Sequence, residues 1–274
     1  MALFTDKKKA VMPFFDTHTH FDYLLQQLNH SVAQGIAEAK SAEVEKILIA
    51  AVMQEQFQAL FELCAQAPQH LCYGLGLHPL YIKQHQQHDL DNLKVRLQTK
   101  PHLCKAVAEI GLERAVYELI SAEMWQKQCY FLESQLYLAK QFNLPVSLHS
   151  RRSHDQLYPF LKRISSSKKG VIHGFAGSYQ QAKRFVDLGY FIGVGGTISY
   201  QRANKTREAI RRLPLDSLVL ETDSPDMPLF GYQGQPNQPK RIRQVFETLC
   251  QLRNEPPEQL QTALWQNSGS IFDF

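Results

Sequence analysis

The chain has little with which to build a disulfide framework. Its five cysteines, Cys64, Cys72, Cys104, Cys129 and Cys250, are scattered, and none stands in a CxxC or zinc-finger spacing. Odd in number and unpatterned, they read as free thiols of a reducing compartment, which points to the cytoplasm. No apolar run approaches the roughly 20 residues that cross a bilayer, so no membrane association is expected. Lys7-Lys8-Lys9 is followed by no apolar h-region, so no secretory signal is expected either. Residues 1–11 read as a poorly ordered extension. A GxGxxG after the first strand is also missing, which argues against a dinucleotide-binding, doubly wound sheet. No low-complexity linker, block of like charge or internal repeat divides the chain, and a single domain over residues 1–274 is expected. Charge of one sign is not in large excess: the formal balance is +4. That permits a phosphate-bearing partner without requiring one, and it excludes the charge density of a histone-like binder. Nothing in the sequence calls for an obligate protein partner.

What is present is ordinary globular composition, 274 residues with 44% hydrophobic and 20% charged. Such a length buries a substantial core. Short apolar runs alternate with amphipathic ones. Strands are expected near 14–20, 45–52, 72–78, 106–111, 144–150, 170–175, 190–195 and 217–223. Helices are expected over 31–41, 55–67, 89–99, 122–142, 154–163, 179–188 and 206–212, with two more after residue 239. In the longest, Trp125, Cys129, Leu132, Leu136 and Ala139 recur at spacings of three and four. Eight alternating βα units imply a parallel sheet, and at this length a (β/α)8 TIM barrel. An open doubly wound sheet is the rival architecture.

The polar residues at the strand ends carry the chemistry. On a strand, His18 and His20 share a face with Cα atoms roughly 6.5–7 Å apart, close enough for two imidazoles to hold one ion. His78 is expected at the end of strand 3, Glu109 of strand 4, His149 of strand 5, His173 of strand 6 and Asp223 of strand 8. Barrel enzymes build their sites at that C-terminal end. Strand 8 closes against strand 1, which sets Asp223 beside His18 and His20. Strands 5 and 6 are neighbours, so His149 and His173 can share an ion. The Glu109 carboxylate can bridge. Two divalent ions are therefore expected: one on His18, His20, Asp223 and Glu109, the other on Glu109, His149 and His173. Nitrogen and carboxylate donors suit Zn, Mn, Fe or Co, with Mg less natural. Paired ions of this kind activate water and clamp the oxygens of a displacement. Asp223 is the candidate to orient that water or take its proton, so Glu109 and Asp223 are the candidate catalytic carboxylates. Lys105 lies at the wrong end of strand 4 to serve as a bridging carboxylated lysine. Asp16 shares the face of His18 and His20 but sits deeper, as a supporting group.

Six motifs stand in order along the chain. They are Asp16-Thr17-His18-Thr19-His20, Gly76-Leu77-His78-Pro79, Ala108-Glu109-Ile110-Gly111-Leu112, Leu148-His149-Ser150-Arg151, His173-Gly174-Phe175-Ala176-Gly177 and Glu221-Thr222-Asp223-Ser224-Pro225. Together they resemble the TatD family of metal-dependent deoxyribonucleases, from about residue 12 to the C-terminus. The runs His149–Asp155, Gly193–Thr197 and Gly231–Asn237 are most similar to its YjjV-like branch. The resemblance implies a TIM-barrel metallohydrolase of the amidohydrolase superfamily that cleaves DNA, with metal ligands at His18, His20, Glu109, His149, His173 and Asp223. Two positions depart from the family's usual pattern: Ala108 replaces a glycine, and Glu113 replaces an aspartate one methylene shorter.

For substrate, Arg151 offers a fork suited to phosphate, with Arg152 beside it and His78 as a second candidate contact. Lys205, Arg207, Arg211 and Arg212 read first as a solvated helix face. Tyr81, Phe175 and Tyr200 are candidate base-stacking rings, with packing as the simpler role for each. The 231–239 loop is placed to wall the cleft. With no dedicated DNA-binding motif, weak and non-sequence-specific binding of DNA or an oligonucleotide is expected. Two other readings remain open at this point. The same metals suit an amide, a lactone or an aminoacyl ester, and a binding protein with a relict site would carry the same residues.

Overall fold

The computed structural model describes residues 12–99 and 101–273; the expected N-terminal extension lies outside them. Eight strands appear in order: β1 (Phe14–Thr19), β2 (Val44–Ala50), β3 (Leu71–Leu75), β4 (Cys104–Glu113), β5 (Val146–Arg151), β6 (Gly170–Ile172), β7 (Phe191–Val194) and β8 (Leu218–Leu220). They form one parallel sheet in sequence order. The seam between β8 and β1 is closed by backbone bonds just beyond β8: the Asp223 N–H donates to the His18 carbonyl at 3.0 Å and the His20 N–H to the Ser224 carbonyl at 2.7 Å. The fold is thus the (β/α)8 barrel rather than the open sheet.

The helices are α1 (Phe21–Leu28), α2 (Val32–Lys40), α3 (Gln56–Ala65), α4 (Gln87–Gln98), α5 (Ala122–Phe142), α6 (His154–Arg163), α7 (Tyr179–Asp187), α8 (Asn204–Arg212), α9 (Ile242–Leu252) and α10 (Pro257–Phe272). Local chemistry starts several of them. Ser31 and Gln34 form a capping box on α2, and Ser178 and Gln181 another on α7, each satisfying otherwise orphaned N–H groups. The sequence pattern did not reveal α1. It begins directly after His20 with no capping side chain, and burial of Phe21, Leu24 and Leu25 holds it in place of a cap.

Alternation along the strands divides the core. Outward residues such as Phe14, Ile47, Ile49, Tyr73 and Val107 pack under the helices. Inward residues Phe15, Leu48, Ala50, Ala106, Ala108, Val171 and Val219 fill the barrel's lower interior together with Phe272. Phe272 lies edge-on to Phe15 at 5.7 Å, so α10 closes that end. Lys105 is at this same end, where its Nζ donates to the Asp273 carbonyl at 2.9 Å. Above the apolar floor, the inward positions turn polar.

Near the site, β1 and β4 break the simple alternation. On β4, Val107 pairs with Val146 but Ile110 pairs with Leu148, and on β1, Asp16 pairs with Ile47 but Thr19 with Ile49. Each strand carries one extra residue there, a β-bulge of the kind that re-aims a side chain. Glu109 sits in the β4 bulge with φ 60°. It was expected at the end of strand 4; it lies within the strand, because β4 continues to Glu113.

Candidate metal centre

Glu109 is the hub of the mouth. It is almost fully buried, and its two oxygens face different neighbours. Oε2 lies 2.5 Å from His18 Nε2. Oε1 lies 2.8 Å from His78 Nε2, 3.3 Å from His173 Nε2 and 3.6 Å from His149 Nδ1. Asp223, across the β8–β1 seam, places Oδ1 3.8 Å from His18 Nε2 and 3.7 Å from His20 Nε2. His20 lies one residue past β1, yet its ring still shares this target with His18. The donor atoms sort into three triads, each mutually within 4.8 Å: His18, His20 and Glu109; His18, His173 and Asp223; His78, Glu109 and His149. His173 stands with His18 because their rings stack in parallel at 3.7 Å. All eight expected site residues except the exposed Arg151 thus converge on one point.

Hydrogen-bond partners separate candidate ligands from supports. His20 Nδ1 donates to the Ala50 carbonyl at 3.0 Å, which leaves Nε2 as a lone pair. His78 is the opposite case. Its Nδ1 accepts the Leu80 N–H at 2.8 Å, so in the neutral ring Nε2 carries the proton and donates to Glu109. His78 therefore anchors the hub carboxylate. His18 Nδ1 is held by Ser147 Oγ at 2.8 Å. Glu113, the longer replacement, makes both bonds its length allows: Oε1 accepts the Ala115 N–H at 2.5 Å and Oε2 meets His149 Nε2 at 3.2 Å. That contact turns His149 Nδ1 toward Glu109. The φ of Ala108 is not positive, and the strain falls on Glu109 instead.

The donor set fits a divalent cation. His18 Nε2 and Glu109 Oε2 are buried with only each other as close partner, and both ring nitrogens of His173 are buried without a hydrogen bond. Buried polar atoms left this way are costly, and a cation at this point takes His18 Nε2, a Glu109 oxygen and the one His173 nitrogen, Nε2, that faces them. The electrostatics agree. Burial pushes His18 down to about 3. Burial works to raise Glu109, but His173, His18 and His78 hold it well below the usual carboxylate range. Burial pushes Asp223 up to about 6. For His173 burial is outweighed by Glu109 and the other carboxylates, which lift it to about 9. A charged carboxylate surrounded by imidazoles is how such a site reads before it binds metal.

Three further residues support the site without having been assigned a role from the sequence. Glu221 is fully buried, pushed up to about 8 by burial, and accepts the N–H of Gly174. It thereby fixes the turn that follows His173, where Gly174 has φ 55°. A side chain at Gly193 would occupy the place of the Glu221 carboxylate, which accounts for that glycine on β7. Gln128 and Gln135 of α5 are also fully buried. Gln128 clamps Glu113 through its N–H (2.8 Å) and carbonyl (3.2 Å), and Gln135 does the same to Leu77, next to His78 (2.7 and 3.2 Å). The period of two that pairs His18 with His20 also pairs Glu221 with Asp223, so the sequence held a signal for Glu221. Two glutamines on a helix read as solvated, and only tertiary contact turns them inward. Asp16 takes a support role: its oxygens accept the Thr222 N–H at 2.8 Å and hydroxyl at 2.6 Å, fixing the residue before Asp223.

A cleft of about 590 Å³ opens over this cluster, lined by His20, Glu109, His149, His173 and Asp223 below and by Arg151, Arg152, Asp226 and Met227 at the rim. His18 lies beneath it. The Arg151 side chain is 64% exposed and only 4.0 Å from Glu113, free to meet a ligand. The 231–239 loop, expected to wall the cleft, does not line it. Asn237 ties that loop behind the site, donating from Nδ2 to the Thr222 carbonyl at 2.7 Å and the Met227 carbonyl at 3.2 Å, and the wall falls to Asp226 and Met227. Phe175 is core, stacked on His154 at 5.0 Å. Tyr81 packs edge-on to His78 at 6.0 Å. Arg207, Arg211 and Arg212 are engaged with the Ile198 carbonyl, Glu208 and the Tyr179 ring, away from the cleft.

A parallel barrel with a buried His/Glu/Asp cluster at its C-terminal mouth defines the class, a metal-dependent hydrolase. The particular family follows from comparison with known proteins. The family model described as TatD related DNase matches residues 15–273, and the chain belongs to that family. A protein of Haemophilus influenzae described as an uncharacterized metal-dependent hydrolase is 61% identical over 261 residues, 95% of this chain and 100% of the relative. The uncharacterized metal-dependent hydrolase YjjV of Escherichia coli K12 is 46% identical, covering 95% of this chain and 98% of its own. The crystal structure of YjjV, a TatD homologue, superposes with a TM-score of 0.90 at 45% identity over 96% of this chain and 99% of the other. The branch resemblance seen in the sequence motifs is thus shown. Among the described residues no helix is long and apolar enough to cross a membrane.

Proposed function

We propose that this hydrolase cleaves DNA phosphodiester bonds with two divalent ions, one on His18, His20, Asp223 and Glu109 and one on Glu109, His149 and His173. The observation that carries the reading is the divergence of the Glu109 oxygens, Oε2 toward His18 and Oε1 toward His149 and His173. A carboxylate so placed is built to be shared. The bound ions would supply an activated water and neutralise charge gained by the phosphate oxygens. The chain's own groups do the rest. Asp223, raised to about 6 by burial, is suited to accept the attacking water's proton near neutral pH. Arg151 at the rim supplies a bidentate fork to a non-bridging oxygen, with Arg152 beside it. His78 lines the cleft and holds Glu109 in place through its Nε2 proton. The five free thiols suit a cytoplasmic setting.

The test is a substrate panel on metal-stripped protein resupplied with Mn²⁺, Zn²⁺ or Mg²⁺: a single-stranded oligonucleotide, a simple phosphodiester, a lactone, a cyclic amide and an aminoacyl ester. Phosphodiester turnover is expected to dominate and to vanish on chelation. Lactone or ester turnover far above that on DNA would overturn the assignment and favour the amide or ester reading.

A further inference from the structure

A second groove opens off the metal cleft. It encloses about 470 Å³ between Thr197, Tyr200, Arg202, Ala203, Met227 and Pro228. Met227 lines both spaces, so the groove continues the cleft. Its two walls, the turn after β7 and residues 226–230 after β8, are stitched together. The Tyr200 hydroxyl donates to the Pro228 carbonyl at 2.8 Å, and the Phe230 N–H donates to Ser199 Oγ at 2.8 Å. Ser199 in turn donates to the Gly196 carbonyl at 2.6 Å. The surface is preformed, which lowers the entropy cost of binding.

Its chemistry is specific. Phe230 is 67% exposed and stands edge-on to Tyr200 at 5.9 Å. A large aromatic left in water at the lip of a cleft needs a reason. Arg202 is exposed, rests over the Tyr200 ring at 5.3 Å, and has no carboxylate partner among the described residues. Its neighbours on α8 are occupied, Arg207 by the Ile198 carbonyl and Arg211 by Glu208. Flat aromatic surface beside an unpaired guanidinium is what a base and its phosphate require. A small lactone or cyclic amide offers neither a second anion nor a base.

We propose that this groove seats the nucleotide adjoining the scissile phosphate, its base against Phe230 and Tyr200 and its own phosphate on Arg202. The inference rests on the phosphodiesterase reading of the metal centre and extends it to the substrate's length: an oligonucleotide rather than a mononucleotide ester. It also gives Tyr200 a place in recognition that its bonds to the 226–230 segment prepare.

Two measurements on the full chain test it. In the first, kcat/KM is determined for a deoxytrinucleotide and for bis(p-nitrophenyl) phosphate, with Mn²⁺ present. The ratio of the two is expected to fall about fivefold or more in Arg202→Ala and in Phe230→Ala, the scale of one lost stacking or phosphate contact, and Arg202→Lys should recover part of it. In the second, anisotropy of a labelled deoxypentanucleotide is followed in EDTA, where nothing is cleaved. Affinity should fall by a similar factor in both alanine variants. Unchanged affinity in both variants, or equal losses on both substrates, would overturn the groove. Wild-type protein that binds the oligonucleotide through Arg202 and Phe230 but hydrolyses no phosphodiester would overturn the phosphodiesterase reading and leave the groove standing.

Discussion

Glu109 adopts φ 60°, a region that costs an L-residue of order 1–3 kcal/mol and persists only where the surroundings over-determine it. His78 is one of those surroundings. Its Nδ1 takes the Leu80 N–H, its Nε2 proton goes to Glu109 Oε1 at 2.8 Å, and its backbone carbonyl accepts from His85 Nε2 at 2.9 Å. A His78→Ala variant leaves that buried oxygen without its donor. Metal affinity and turnover are expected to fall together by about 10–100-fold, the usual cost of losing a group that holds a ligand. Parallel metal titration and steady-state kinetics check this. A rise in KM alone, with metal affinity intact, would return His78 to the substrate-contact role that its place in the sequence suggested. At this scale the sequence was most legible where one side chain's type declares its chemistry. His18, His20, Glu109, His149, His173 and Asp223 are metal-ligand types at strand ends, and all six converge. Glu221 stood in a motif without a role. Period two sets it on the face of Asp223, but what it does there depends on an N–H of Gly174, on another strand's loop.

The elements explain why strand counting succeeded while strand alternation needed correction. Apolar runs and turn residues marked all eight strands and the helices after β2 within a few residues. A bulge, by contrast, is one extra residue with no compositional signature, and one on β1 and one on β4 fall beside candidate ligands. The α5 stripe was similarly rotated. Trp125 and Cys129 are only half-buried, while Gln128 and Gln135 face inward. Close strand approach gives a direct test at this scale. A Cβ on Gly76, just past β3, would run into the carbonyl oxygen of Ala108 and lie 2.9 Å from Ile110 Cγ2. The obstacle on β4 is backbone, and it leads directly into Glu109. Gly76→Ala should destabilise the fold by about 1–3 kcal/mol, the range for overpacking a close-packed interior, and should lower metal affinity as β4 shifts. A lower denaturant midpoint with an unchanged m-value would show the first effect. An unchanged midpoint would mean that the two strands have room the geometry denies them.

Across the whole molecule, the mouth of the barrel is destabilised without its cation, and the consequence is readable as stability. Ligand atoms with no partner cost the apo fold, so a divalent ion that binds only the folded state stabilises it by about 2.7 kcal/mol at a hundred times its Kd. For a chain of this size that is about 5–10 °C in Tm. Protons compete for the same atoms. Without metal, His173 is raised from its ordinary 6.5 to about 9 by the carboxylates that overcome its burial, and burial raises Glu221 from 4.5 to about 8. Both groups bind a proton more tightly folded than unfolded. The stability each contributes is complete below its unfolded value and is lost as pH rises through its folded one. Between pH 6.5 and 9 the apo protein should therefore lose Tm steadily. Over the same window a metal ion finds fewer protons to displace, so the loaded protein should hold its Tm better. The gap between the two melting curves is expected to widen from pH 6.5 to 9. Calorimetry of EDTA-treated and Zn²⁺- or Mn²⁺-loaded protein at three pH values measures that gap. A gap that is constant or narrows with pH would mean that the cation does not displace the His173 proton. The Glu109-centred cluster would then not be where the ion binds.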